Sequence, residues 1–381
     1  MSNALVVLGA TGSIGTQTVE VADRLGLVIE VLAARSPSEK LLALAKHHPD
    51  ARVVIAGGAG QDREEFTAAA PNEVTFGSDA IEASARLPGC TVVNGIVGAA
   101  GLRATVAALE TGNRVALANK ESLVAGGPVV VDALHRGGGE LIPVDSEHSA
   151  LHQCLAGERP DGVNRLVLTA SGGPFRGWDR EALAAVTPED ALRHPTWDMG
   201  PRITIDSATM FNKGLEIIEA HHLFGVDYDR IEVVVHPQSI LHSAVEFVDG
   251  SWKGQLGFPD MRIPIQYAIT YPDRSPSPAD PFHLAGLDLT FEVPDFETFP
   301  ALSIAYEAGR AGGSAPATMN GADEVAVEAF LQGRLGFLGI SEVVQRTIEA
   351  VDLTPLETVD DVLEADREAR SVAASLIAGA C

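Results

Sequence analysis

The chain has 381 residues, 46% of them hydrophobic and 21% charged, a composition that folds into globular domains and, at this length, into two or three. Acidic residues outnumber basic ones 52 to 27, and a net charge of −25 argues against sequence-independent nucleic-acid binding, which needs a basic face. Cys90, Cys154 and Cys381 form no CxxC pair, so neither a disulfide framework nor a structural zinc is indicated, and a reducing cytoplasm is expected. The start Met1-Ser2-Asn3-Ala4 lacks the basic region of a signal peptide. Pro88, Asn94 and several glycines interrupt the uncharged stretch 87–102, which leaves no membrane span and no membrane partner.

Residues 4 to about 145 alternate β-branched runs with helical segments. Strands are predicted at 4–8, 28–33, 52–56, 91–94, 114–118 and 141–144. That alternation predicts an α/β domain over 1–145: a doubly wound, Rossmann-like parallel sheet with helices on both faces. A second domain, 146–270, reads as α+β. Strand-like runs fall at 163–169 and 231–236, a hairpin is predicted at 241–248 and 251–258 around Asp249-Gly250, and a helix at 207–224 with Ser207 as its cap. The proline-rich stretch 271–300 reads as an ordered linker, with Phe282, Leu284, Leu287 and Leu289 available for packing. From 301 to 381 a C-terminal helical bundle is predicted, with helices at 301–311, 317–332, 340–350 and 358–378.

Chemistry concentrates in a few segments. The first strand runs into Gly9-Ala10-Thr11-Gly12-Ser13-Ile14-Gly15, where glycines allow a tight turn and a helix start offers its N–H groups to a pyrophosphate. The second strand ends in Ala34-Arg35-Ser36 rather than in the acid that binds an unmodified ribose. A guanidinium and a hydroxyl suit a 2′-phosphate, hence NADPH, although a solvated surface arginine has the same appearance. Asn119-Lys120-Glu121 follows a strand end, where such sheets face their ligand. Asp145, Ser146 and Glu147 follow the last strand of the domain; if extended, Asp145 and Glu147 point the same way, about 7 Å apart. Hard oxygen donors of this kind suit Mg²⁺ or Mn²⁺, and a polar helix start is the plainer alternative.

Of the five lysines, Lys120 and Lys213 fall in these motifs. Asn212, Lys213 and Glu216 share a helix face, with Gly214 inside the helix suggesting a close approach there. Ser207, Asn212 and Lys213 would cradle a phosphate, and Ser171, in the glycine-containing loop 169–175, offers another hydroxyl. His194 and Trp197 lie between prolines and Gly200, on a loop that reads either as a closing flap or as a core anchor. His236 reads as structural.

Together these segments resemble the 1-deoxy-D-xylulose 5-phosphate reductoisomerase family. The matches are GATGSIG at 9–15, ANKESLV at 118–124, PVDSEHSA at 143–150, TASGGPFR at 169–176, RHPTWDMG at 193–200, DSATMFNKGLEIIEA at 206–220 and HPQSILHS at 236–243. The resemblance implies a retroaldol/aldol rearrangement of a sugar phosphate followed by reduction with NADPH to 2-C-methyl-D-erythritol 4-phosphate. It implies Asp145, Glu147 and Glu216 as ligands of Mn²⁺ or Mg²⁺, and Lys120, Glu147 and His194 as catalytic residues. Substrate contacts would come from Lys120, Ser146, Glu147, Ser171, His194, Trp197, Ser207, Asn212, Lys213 and Glu216. NADPH would be lined by Thr11, Gly12, Ser13, Ile14, Ala34, Arg35, Ser36, Asn119, Glu121 and Gly200. Family members more often carry Gly, Lys and Asn where this chain has Ala34-Arg35-Ser36, and they are commonly homodimers. The group that removes the substrate proton stays open between Glu147 and a metal-bound alkoxide. A plain NADP-dependent dehydrogenase without isomerisation, or a nucleotide-binding redox sensor without turnover, are the competing readings; the first needs no metal and the second consumes no NADPH.

Overall fold

The computed structural model describes residues 4–197 and 199–380; Asp198 in the predicted flap, Cys381 and the first three residues lie outside the described set. Two compact units divide the chain. The first comprises 1–122, 130–149 and 260–281, and the second comprises 123–129, 150–259 and 282–381.

In the first unit the β-branched runs become β1 (Ala4–Leu8), β2 (Val28–Ala34), β3 (Arg52–Ile55), β4 (Val74–Phe76), β5 (Thr91–Asn94), β6 (Arg114–Leu117) and β7 (Glu140–Pro143). They form one parallel sheet in the order β4-β3-β2-β1-β5-β6-β7, the doubly wound topology expected. Only β4 had no counterpart among the predicted strands. Such strands are nearly all apolar because helices cover both faces, and Leu5, Val7, Leu32, Val53, Val93 and Ile142 are fully or almost fully buried. Each contributes about 1.5–3 kcal/mol by leaving water. The helix Arg262–Thr270 adds Ile265, Tyr267, Ala268 and Ile269 to this core. Strand order reverses between β1 and β5, so their C-terminal ends open a crevice.

The second unit holds β8 (Val163–Ala170), β9 (Ile231–Val235), β10 (Leu241–Phe247) and β11 (Trp252–Leu256), in the order β11-β10-β8-β9. β10 and β11 form the predicted antiparallel hairpin around Asp249-Gly250, while β8 and β9 run parallel. Helices Ala301–Ala311, Ala315–Leu331, Phe337–Ala350 and Val359–Ala380 make the C-terminal bundle. Within the proline-rich segment, Val235 and Glu292 exchange backbone hydrogen bonds, and Phe282 packs on Phe258. Leu284 and Leu289, expected to pack, remain exposed (65% and 36%), because they flank a turn at Gly286 that carries them outward.

The predicted helix 207–224 is two helices, Pro201–Thr209 and Phe211–Phe224. Met210 breaks it by adopting the left-handed conformation (φ 70°, ψ 5°), which non-glycine residues rarely take. Ser207 therefore lies in the last turn of the first helix and does not cap the second. Gly214 sits where the second helix meets Ala301–Ala311, and a β-carbon built on it would lie 2.7 Å from the Ala305 β-carbon. The close approach suspected from sequence is thus a helix–helix contact. Overpacking there costs about 1–3 kcal/mol, more than the ~1 kcal/mol that alanine gains over glycine in a helix. Gly214→Ala is expected to lower the midpoint of chemical unfolding, measured by circular dichroism in urea.

Candidate active site

The nucleotide-loop residues take up the first βα turn. Gly9 has φ +81°, and a β-carbon there would lie 2.6 Å from the Gly95 carbonyl oxygen at the end of β5, so only glycine lets the two turns approach. Gly12 stands at the N-cap of Ser13–Leu25 with no side chain capping that helix end. Thr11 and Ile14 are half-buried, while Gly12 and Ser13 are exposed. This is an accessible helix N-terminus suited to a pyrophosphate. Ala34 ends β2 buried, and Arg35 and Ser36 follow it exposed.

Beyond β6, Asn119 caps the helix Lys120–Gly137, its side-chain oxygen accepting the Ser122 N–H. Its amide donates to the Ile96 and Gly98 carbonyls and, at 2.8 Å, to Glu121 Oε2. Asn119, Lys120 and Glu121 are all buried, so they are not a surface turn.

Asp145 and Glu147 are not on an extended strand. The helix Ser146–Leu155 begins directly after Asp145, whose Oδ1 accepts the N–H groups of Glu147 (3.1 Å) and His148 (3.4 Å). An acid followed by helix-forming residues satisfies the open helix end in this way. Their carboxylates still converge, with an oxygen of each within 4.8 Å of the other. Lys120 Nζ is 2.9 Å from Asp145 Oδ2, and the fully buried His148 sets Nδ1 3.0 Å from Oδ1. Ser146 Oγ donates to Glu147 Oε2 at 2.8 Å. The extended reading hid His148, which reaches Asp145 only at helical i,i+3 spacing.

In the second unit, Asn212, Lys213 and Glu216 do share one helical turn. Asn212 Nδ2 donates to Glu216 Oε1 at 2.6 Å, and Lys213 Nζ pairs with Glu216 Oε2. Glu216 is fully buried and Lys213 nearly so, which sets this pair apart from a solvated surface ion pair. Carboxylate oxygens held against lysine, with no thiolate among them, fit a hard divalent cation such as Mg²⁺ or Mn²⁺.

His194 brings Ser171 and Ser207 together. Its Nε2 lies 3.0 Å from Ser171 Oγ and 3.1 Å from Ser207 Oγ. Nδ1 accepts the backbone N–H groups of Thr196 (3.2 Å) and Trp197 (2.9 Å), so the ring proton of the neutral form resides on Nε2. Ser171 and Ser207 then accept from the ring and can turn their own O–H groups to a ligand. Trp197 is half-buried, its ring 6.2 Å from that of His242. Gly200 caps Pro201–Thr209, the helix that carries Ser207. Arg202 pairs locally with Asp206 at i,i+4 and anchors that helix to the bundle through Glu324 (2.9 Å) and Asn320 (3.0 Å), partners too far along the chain for local spacing to reveal. His236 is structural, bonded to the Thr290 carbonyl and to the N–H groups of Ile240 and Leu241.

Burial lowers the His194 pKa to about 4. The neutral ring is therefore favoured by folding. Its contribution to stability is complete above the ordinary value of 6.5 and is lost as pH falls toward 4. In the ligand-free chain the His194 ring resonances are expected to titrate near pH 4, measured by NMR; a midpoint near 6.5 would contradict the burial.

Family models match three stretches: the 1-deoxy-D-xylulose 5-phosphate reductoisomerase model over residues 5–127, its C-terminal domain model over 141–224, and a DXP reductoisomerase C-terminal domain model over 256–372. The chain is 47% identical to the 1-deoxy-D-xylulose 5-phosphate reductoisomerase of Chloroherpeton thalassium, covering 96% of both proteins. It is 49% identical to that of Caulobacter vibrioides, covering 98% of this chain and 96% of the relative. Among solved structures, the Zymomonas mobilis reductoisomerase in complex with NADPH superposes with a TM-score of 0.92 at 43% identity, covering 99% of each chain. A DOX-P reductoisomerase in complex with NADPH, fosmidomycin and magnesium superposes with a TM-score of 0.91 at 37% identity, covering 98% of each.

Proposed function

This chain belongs to the 1-deoxy-D-xylulose 5-phosphate reductoisomerase family, and we propose that it carries out that family's reaction with the side chains described above. It is an NADP-dependent oxidoreductase that rearranges 1-deoxy-D-xylulose 5-phosphate and reduces the product to 2-C-methyl-D-erythritol 4-phosphate, using NADPH and Mg²⁺ or Mn²⁺. The observation that carries the assignment is the single helical turn of Asn212, Lys213 and fully buried Glu216, which joins phosphate-binding and metal-binding chemistry.

Asp145, Glu147 and Glu216 are the proposed ligands of the divalent cation. When bound, the cation acts as a Lewis acid on the substrate's carbonyl and hydroxyl oxygens. Lys120 adds a buried positive charge beside Asp145, where it stabilises the oxyanion that develops as the C3–C4 bond breaks. Ser146 contacts the substrate backbone. Ser171, Ser207, Asn212 and Lys213 grip the phosphate, so the fragments stay oriented until the new carbon–carbon bond forms. His194, neutral and fixed as the Nε2–H tautomer, orients both serine hydroxyls, and Trp197 closes over the substrate and excludes water. Thr11 to Ile14, Ala34 to Ser36, Asn119, Glu121 and Gly200 line the NADPH, with Arg35 on its 2′-phosphate.

The domain reading supported by these roles is a cofactor domain over 1–145, a catalytic domain over 146–270, a linker and a helical domain from 301. A homodimer is also proposed, supported by Val248, Trp252 and Phe258, which stay exposed on and beside the outermost strand of the second unit's sheet. A cytoplasmic setting is proposed as well. Among the described residues no helix is long and apolar enough to cross a membrane, and Cys90 and Cys154 are free.

NADPH oxidation with 1-deoxy-D-xylulose 5-phosphate is expected to require Mn²⁺ or Mg²⁺; full turnover after exhaustive chelation would favour a plain dehydrogenase. Glu216→Gln is expected to lower kcat more than about 100-fold, beyond the usual loss of an outer-shell metal partner, while NADPH affinity stays unchanged. Arg35→Ala is expected to reduce the preference for NADPH over NADH about 10- to 100-fold, the worth of a hydrogen bond to a charged group. The ratio of the two kcat/KM values measures it.

A further inference from the structure

Asp23, His47 and His48 converge on the first unit, apart from the residues assigned to catalysis. Asp23 lies in the last turn of Ser13–Leu25, His47 is the final residue of Glu39–His47, and His48 is the C-cap of that helix. One ligand atom from each lies within 4.8 Å of the others. Asp23 Oδ2 is 3.1 Å from His47 Nε2, and Asp23 Oδ1 is 3.5 Å from His48 Nε2. Zinc bonds to nitrogen and oxygen of about 2.0–2.1 Å place neighbouring tetrahedral ligands about 3.3–3.4 Å apart, so each histidine nitrogen stands near a tetrahedral spacing from one Asp23 oxygen.

His48 is the more telling member. Its Nε2 is buried and has no hydrogen-bond partner, although it faces a carboxylate. Burial lowers the affinity of this ring for a proton and outweighs the opposing pull of Asp23. The residue is held in place: its carbonyl accepts from Asn72 Nδ2 (2.8 Å) and from the Ala51 N–H (3.1 Å), and its own N–H donates to the Leu44 carbonyl. The His47 side chain is 66% exposed, against 14% for His48, leaving an open side for water. Electrostatics point the same way. Two helix C-terminal ends carry partial negative charge, and Asp23 adds a full one, so the spot favours a cation.

We propose that Asp23, His47 and His48 form a peripheral site for a divalent transition metal of the zinc class, with water completing its coordination. Two imidazoles and one carboxylate make a softer donor set than three carboxylates, so the site selects zinc-like ions over Mg²⁺. Bound metal would tie together the ends of the two helices that follow β1 and β2, the strands leading into the cofactor loops.

Co²⁺ is the probe, because it occupies tetrahedral nitrogen and oxygen sites and absorbs visibly in them. Chelator-stripped wild-type chain and the His47→Gln and Asp23→Asn variants are titrated and the bound ions counted. Each variant is expected to bind one Co²⁺ per chain fewer than wild type, with Mn²⁺-dependent NADPH oxidation unchanged. Equal counts in all three would mean Asp23–histidine ion pairs only and would overturn the site. A second readout needs no variant. Co²⁺ is expected to shift and broaden the ring resonances of both His47 and His48 in the wild-type chain, and unperturbed rings would equally refute it. Glu216→Gln is titrated alongside, so that a failure of the catalytic ligand assignment registers separately from a failure here.

Discussion

Buried carboxylates held by buried lysines are what the chemistry proposed for this chain depends on. Asp145 is held by Lys120 and Glu216 by Lys213, each pair almost out of water. An isolated carboxylate in such a place would cost several kcal/mol and would take up a proton instead. The lysine beside each supplies a compensating charge, and carboxylate oxygens are the donors that a hard divalent cation prefers. Two of the chain's five lysines are taken up in these pairs.

Each pair is set up by its own local backbone. In the first, a parallel strand ends, Asp145 caps the helix that follows, and the cap fixes its carboxylate toward Lys120 and His148. In the second, a left-handed Met210 interrupts what would be one long helix, so that Ser207 ends one segment while Asn212, Lys213 and Glu216 open the next. The contact at Gly214 then brings that second helix close to the C-terminal bundle. Fold and site are linked through a helix cap, a helix break and a missing side chain.

Much of this was legible in the sequence. β-branched runs spaced by helical segments dictate a doubly wound sheet, and i,i+3 and i,i+4 spacing alone places Lys213 and Asn212 beside Glu216. What escaped depends on tertiary context. A three-residue strand such as Val74–Phe76 is too short to carry a period. Residues after a strand read as extended until the cap at Asp145 is seen to start a helix. Nothing in the local sequence marks a methionine such as the buried Met210 for the left-handed region. Leu284 and Leu289 look like packing residues by type, yet their loop turns them outward.

The proton arrangement around His194 has a consequence for ligand design. With Nδ1 committed to backbone N–H groups and Nε2–H facing two hydroxyl oxygens, the cluster offers donors and little else to an incoming group. In the proposed phosphate grip, a fully ionised tetrahedral head, bearing only lone pairs, complements those donors. An amide or a neutral acid of the same size would bring a hydrogen of its own into a place already supplied with them. For the phosphate grip proposed above, mimics that keep the shape of the head but not its negative charge forfeit those donors.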